Sequence, residues 1–392
     1  MKATAHRPRA AAWLGVAVFL VAVNLRPAVA SFGPLVTDIR DGLGLSDVGI
    51  SVLTALPVVC FGALAPIGPW LTKRIGMARA VAVYCAAIGV GLLVRIGPDA
   101  ATMFTGTLVA AGAIAALNVI LPALIKRDFP RHTGVMMGLY TLALTGSAAI
   151  AAGLSVPLTH AIGHGWRGGL GIWAALAAVA LLVWLPELRV AGADAVAAVA
   201  PRGLLRDRIA WMVTIYFGFQ SLSFYAMLTW LPTLYQDHGL SESHAGALLS
   251  LSAAVQTPVA LGLPALAIRL RTQTPLLVGS VLLTAGGLLA LLVAPMASPY
   301  LWVVILGLGQ GASFPLGLTL MVLRTRTPAV TQQLSSMSQG FGYLIAAVGP
   351  LLTGLLHSLT GHWTVPLAVL IALLAPQAIA GFAVARPGFA GD

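Results

Sequence analysis

Arg26 lies in the stretch VAVNLRPAVASFGP, residues 21–34, inside an apolar run long enough to cross a membrane. In a helix starting near residue 12 it would stand about 22 Å along the axis, near a bilayer's centre. An arginine there costs ~2.5–3.5 kcal/mol on an insertion scale, so it should face the interior and meet a partner. No acid is in place to serve. Asp41, Asp47, Asp99, Asp128, Glu187, Asp194, Asp207, Asp237, Glu242 and Asp392 fall in loops, tails or helix ends, and Asp38 falls at the mouth of the first span. One reading is that backbone carbonyls hold the guanidinium beside Pro27, which removes a helical hydrogen bond. The preferred reading is an anionic solute as counter-ion, because an ionisable group at this depth is functional by default. On a continuous helix Ala22, Ala30 and Gly33 share Arg26's face and leave it room, whereas Asn24 points about 200° away, toward another helix.

The remaining mid-span polar groups are amides with aromatic neighbours. Asn118 falls in the inner half of the fourth span, with Pro122 expected to break the helix just beyond it. Gln220 shares a face with Phe224 and Met227, with Tyr225 beside them; Phe314 lies one turn after Gln310, and Tyr343 one turn after Gln339. Tyr140 completes the candidate substrate-binding set. Each of these can equally serve as packing glue between helices. An Arg fork suits a planar pair of oxygens, and the aromatic rings suit a flat solute.

Catalytic patterns are missing: the sequence has no H-E-x-x-H, no G-x-S-x-G and no paired mid-membrane aspartates. GLGQG at residues 307–311 has no preceding strand and reads as close helix packing. Cys60 and Cys85 lie within spans as small hydrophobes. No enzyme activity, metal site or cofactor is expected. The histidines at 160, 164, 238, 244, 357 and 362 gather near the outer ends, where they could sense external pH, although exposed loop histidines usually do nothing measurable.

These residues need a membrane scaffold to hold them. Of the 392 residues 59% are hydrophobic and 8% charged, against roughly 25% charged in soluble domains. Twelve apolar stretches are predicted, over residues 12–37, 46–71, 77–96, 99–125, 133–157, 167–186, 208–233, 242–267, 274–294, 299–323, 331–357 and 363–385. With the N-terminus in the cytoplasm, the inner segments hold 18 of the 22 Lys and Arg residues, leaving Arg26 within a span and Arg40, Arg95 and Arg167 outside. That bias predicts cytoplasmic termini and makes the net charge of +11 a record of topology, not of a nucleic-acid partner.

The chain divides into a half over 1–186, a linker over 187–207 and a half over 208–392. PWLTKRIG after the second span echoes PALAIRLR after the eighth, and DGLGLSD echoes QDHGLSE.

Two six-helix halves with a basic loop between helices two and three resemble the major facilitator superfamily along the whole chain. That resemblance implies a twelve-helix all-α membrane fold in which Lys73, Arg74 and Gly76 belong to a gating loop. The superfamily loop usually reads Gly-x-Leu-x-Asp-Arg-x-Gly-Arg-Arg. Leu71, Arg74 and Gly76 match it, whereas Pro69, Lys73, Met77 and Ala78 depart from it, so the Asp that helps lock one state has no counterpart. NLRPAVASFGPL, LNVILPALIKRDFP, GLYTLALTGSAAIAAGLSVPL, FGFQSLSFYAMLTWLP, GLGQGASFPLGLTL and LSSMSQGFGYLIAAVGPLLTG are similar to the cyanate and 2-nitroimidazole transporter family (CynX/NimT type). The resemblance implies a secondary or facilitative transporter of small compact solutes, monoanions or nitroimidazole-like heterocycles. It would be a multi-pass monomer in a bacterial cytoplasmic membrane. The alternatives are a proton-coupled drug or metabolite efflux antiporter and, from another class, a transporter-like membrane sensor.

Overall fold

A computed structural model describes residues 8–190 and 203–391. Lys2, Arg7, Arg202, Asp194, Asp392 and most of the expected linker lie outside the described residues. Those described are helical, with no strand among them. In chain order the helices are α1 (Pro8–Val23), α2 (Pro27–Ala30), α3 (Val36–Leu43), α4 (Asp47–Ala63), α5 (Ile67–Ile75), α6 (Met77–Val94), α7 (Ala100–Asp128), α8 (Thr133–Ile162), α9 (Gly165–Gly171), α10 (Trp173–Trp184) and α11 (Glu187–Val190). After the linker come α12 (Arg208–Asp237), α13 (Glu242–Arg269), α14 (Thr274–Val293), α15 (Pro299–Leu323), α16 (Pro328–Thr360), α17 (Thr364–Ala372) and α18 (Leu374–Val384).

Among the described residues ten helices are long and apolar enough to cross a membrane, and α4 with α5 makes an eleventh span bent by 53°. Pro66 at the bend cannot donate to the helical ladder. The twelfth expected span is α12, unbroken over 30 residues. Thr214, Gln220, Ser221 and Ser223 interrupt its apolar run, and all four are buried.

The helices gather into two compact units. One contains the residues up to Leu124 and those from Leu142 to the linker; the other contains Ile125–Thr141 and everything after the linker. In the first unit, most of α7 is buried, and Phe32, Leu35, Ile39, Leu53, Met103, Trp166 and Leu170 form an apolar cluster. Gly106 of α7 permits a backbone approach to α6 so close that a Cβ would stand 2.3 Å from the Arg95 nitrogen. In the second unit α15 is the most enclosed long helix, and α12 packs along α16, with the Thr214 and Ser338 hydroxyls 3.1 Å apart.

The repeat G-L-S-[DE] has a physical basis. Gly44 and Gly239 take left-handed φ values of +61° and +94°, which an L side chain would strain. The next residues, Leu45 and Leu240, each donate a backbone hydrogen bond five residues back, to Arg40 and Tyr235, at 3.0 Å. Ser46 and Ser241 then cap α4 and α13 by accepting from the Gly49 and His244 amides. Both copies therefore encode the same helix stop and helix start.

Candidate substrate-binding site

Arg26 stands at a break in the first span. Pro27 has no N–H for the Val23 carbonyl, and α1 ends at Val23. Asn24–Arg26 form a turn, and Arg26 precedes α2, its carbonyl accepting from the Val29 and Ala30 amides at 3.0 and 2.9 Å. The break corrects the shared face inferred for Ala22, Ala30 and Gly33, since helical period does not carry across a turn. Room remains at Gly33, where a Cβ would meet nothing within 4 Å. The guanidinium carbon lies 5.8 Å from the centre of the Phe61 ring, a cation–π contact. Asn24 instead donates to the carbonyls of Leu20, at 2.8 Å, and Leu176 of α10, at 3.4 Å. It is the interhelical bond expected of it.

A second arginine, assigned by its sequence position to an outer loop, proves to be part of this arrangement. Arg95 is 1% exposed, and its Nη1 donates to the Ala28 carbonyl at 2.5 Å. Nη2 lies 3.4 Å from both Ser31 Oγ and the Leu170 carbonyl, while Nε has no protein partner. Arg95 thus pins the segment that follows Arg26 to the start of the sixth span. Its flanks, Val94 and Ile96, were the available signal: a loop arginine seldom sits between two apolar residues at a helix end.

Asn118 is buried in α7, which runs unbroken through Pro122 to Asp128, contrary to the expected break. Helices in a membrane tolerate proline when neighbours support the freed backbone. The carbonyl that Pro122 deprives of its helical donor is that of Asn118 itself.

The other candidates lie in the second unit. Tyr140, Gln339 and Tyr343 are buried, while Phe224, Tyr225 and Phe314 are half-buried. The aromatic rings form a chain: Phe224 to Tyr225 at 5.4 Å, Tyr225 to Tyr343 at 6.4 Å, Tyr343 to Phe217 at 5.3 Å and Phe217 to Phe314 at 6.1 Å between centroids. Beside them Gln220 Nε2 donates to Ser221 Oγ at 2.5 Å, leaving Oε1 with no partner. Gln310 Nε2 lies 3.4 Å from the Ser223 carbonyl, and Ser223 Oγ is also without a partner. Buried polar atoms in native proteins are nearly always paired, which sets these two apart from their surroundings. Ser223 carries no sequence signal of its own, since a lone serine in an apolar span commonly bonds to its own helix backbone.

Lys73 and Arg74 are exposed at the end of α5, where cations complement the helix C-terminus, and Arg74 stacks on Trp70 at 4.3 Å. Gly76 has φ +83° and redirects the chain into α6. Lys126, expected as an ordinary loop cation, reaches the end of α15, where its ammonium donates to the carbonyls of Val322, at 2.7 Å, and Thr325, and to Thr325 Oγ1 at 2.9 Å. Nearby Arg324 is buried, donating through Nε to the Val384 carbonyl at 2.7 Å and through Nη2 to Gln273. Burial lowers its guanidinium below the usual arginine value. The Lys126→Met variant should exchange the backbone amides of residues 322–331 about tenfold faster, in line with ~1.5 kcal/mol for a hydrogen bond to a charged group. Exchange mass spectrometry reads this directly, and unchanged rates would remove Lys126 as the cap.

A first span broken at a half-buried Arg26, a bent second span and a buried Arg95 are features of a helical membrane protein with polar groups held inside its spans. Residues 12–350 match the Major Facilitator Superfamily. The chain is 38% identical to the uncharacterized transporter YycB of Bacillus subtilis (strain 168), over 94% of this chain and 92% of that one. It is 34% identical to the 2-nitroimidazole transporter of Escherichia coli (strain K12), over 94% of each. With the cyanate transport protein CynX of the same organism it shares 33% identity, over 88% of this chain and 90% of that one. Among solved structures, the proton:xylose symporter XylE superposes with a TM-score of 0.77 at 12% identity, over 98% of each chain. The chain belongs to the major facilitator superfamily, in its cyanate and 2-nitroimidazole transporter family, and is a multi-pass transporter of small molecules, not an enzyme.

Proposed function

We propose that this transporter carries a small compact solute, a monoanion or a nitroimidazole-like heterocycle, with Arg26 as its binding cation. The observation that carries the reading is a guanidinium beside a broken helix in a chain whose described spans place no carboxylate at mid-depth. In this reading the solute's oxygen pair meets the Arg26 fork, Asn118, Gln220 and Gln310 donate hydrogen bonds, and Phe224, Tyr225 and Phe314 flank its plane, with Tyr140 and Gln339 supporting them. Gln220 Oε1 and Ser223 Oγ, unpaired in the second unit, support a polar guest. The names of two relatives, a cyanate and a 2-nitroimidazole transporter, agree in solute size and in planarity or charge.

The two six-helix halves, 1–186 and 208–392, would rock about this site by alternating access. Lys73, Arg74 and Gly76 would act at the basic end of the bundle, and Lys126 on the α15 C-terminus would replace the lock lost with the missing Asp of the loop. The bias of Lys and Arg toward those loops supports a cytoplasmic position for that end and for both termini, in a bacterial cell. The protein would work as a monomer.

Without a mid-depth acid, a uniporter or exchanger fits better than a carboxylate-driven proton symporter. An unaccompanied monoanion feels about 2.3 kcal/mol per 100 mV, directed outward in a negative-inside cell. In proteoliposomes, net cyanate flux by uniport should follow an imposed voltage, one-for-one exchange against a second monoanion should ignore it, and neither should respond to a change of lumenal pH at constant outer pH. Flux that followed lumenal pH and ignored voltage would overturn this coupling.

A further inference from the structure

The histidines near the end of the second unit opposite its basic loops remain outside the transport site, and three of them line one cavity. The cavity has a volume of about 560 Å³ and brings together Asp237 and His238 at the end of α12, His357 near the end of α16, and His362 and Trp363 of the loop before α17. Trp363 Nε1 donates to Asp237 Oδ2 at 2.8 Å, and His357 Nε2 lies 3.4 Å from the same oxygen. The His357 ring stacks on the Trp363 ring, 4.0 Å between centroids and 25° between planes. Trp363 is a fixed stage for that stack: it is 6% exposed, and its ring lies 6.0 Å from Trp230, whose indole donates to the Pro350 carbonyl at 2.8 Å. Gly361, with φ +73°, ends α16 and turns the chain back toward Asp237.

The other groups facing His357 are few. His238 has its Nδ1 2.8 Å from the Leu234 carbonyl. His362 comes from the loop, α14 contributes Leu291 and Leu292, and α17 contributes Thr364 and Leu367 to the lining. Asp237 is the one carboxylate among the residues that line this cavity.

We propose that this is a proton-binding clasp. A proton taken from solvent by His357 turns its 3.4 Å approach to Asp237 into an ion pair, and the resulting imidazolium lies on the face of Trp363 as a cation–π partner. The protonated clasp fastens the ends of α12 and α16 to the start of α17; loss of the proton loosens all three. The charge-based orientation turns this end to the outside, so the clasp reads external pH. It acts as a restraint on the helix ends, separate from the site of Arg26 and from any driving ion.

The test uses the full chain in nanodiscs and backbone hydrogen exchange at pH 5.5 and pH 8.0, corrected for the intrinsic pH dependence of amide exchange. Residues 234–238 and 355–365 should be protected about tenfold more at pH 5.5. His357→Gln, which keeps a hydrogen-bond donor beside Asp237, and Asp237→Asn should each abolish the difference, while His238→Gln and His362→Gln preserve it. Equal protection at both pH values in the wild type would overturn the clasp, as would a difference that survives His357→Gln. Neither result depends on solute binding, so failure here leaves the reading of Arg26 standing, and the reverse holds as well.

Discussion

Arg26→Ala should lower transport of a solute with a planar oxygen pair, such as 2-nitroimidazole or a small carboxylate, about 100-fold in proteoliposomes, with the protein folded and normally incorporated. A charge-assisted fork of two hydrogen bonds is worth roughly 3 kcal/mol where water is excluded, and each 1.4 kcal/mol is a factor of ten. Arg26→Lys keeps the charge and loses the planar fork, so its transport should fall between the wild type and Ala. The effect separates binding from scaffolding because the backbone at this position holds its own hydrogen bonds: the Arg26 carbonyl pairs with Val29 and Ala30 whatever the side chain. Wild-type flux in Arg26→Ala would mean that carbonyls and the Phe61 ring merely shelter the charge.

Arg95→Met should produce the largest loss of stability of any single change considered. The side chain keeps its length, but the Ala28 and Leu170 carbonyls lose their guanidinium donor. Each unsatisfied buried carbonyl costs about 1–3 kcal/mol, and removing a buried charge with no carboxylate partner offsets part of that. A net destabilisation of about 2–4 kcal/mol is expected, visible as a lower melting temperature in detergent. Arg95→Lys should not restore it, because one ammonium cannot span acceptors set on α2, on Ser31 and on α9. The segment released is the one that follows Arg26, so solute affinity should fall in parallel. Unchanged stability in Arg95→Met would show that the break in the first span holds without its pin.

Much of this architecture is legible in one sequence because a bilayer leaves few choices. Apolar run length sets the spans, and the paired GLS motifs mark equivalent helix junctions in the two halves by the conformation that only glycine takes easily. Arg26 stands out for the same reason, as a charge where charges are expensive. What the sequence hid is tertiary. Pro27 and Pro122 look alike in the string, yet one ends a helix and the other lies within an unbroken one, because proline's cost depends on what neighbours supply. Arg95 and Lys126 read as loop cations, since linear position cannot say that one folds back onto α2 and α9 and the other reaches α15, 196 residues along the chain. The substrate's identity depends on how two amides, a serine and five rings are arranged, and sequence spacing constrains only neighbours on one helix.

The central claim is that Arg26 binds a counter-ion or polar oxygen pair that arrives from solution. The most direct measurement is the thermal shift of purified protein with cyanate, small carboxylates, 2-nitroimidazole and other azoles, made in parallel on wild type, Arg26→Ala and Arg26→Lys. The account predicts at least one solute that stabilises the wild type, does so less in Arg26→Lys and fails to do so in Arg26→Ala. A solute that stabilises all three proteins equally would contradict it.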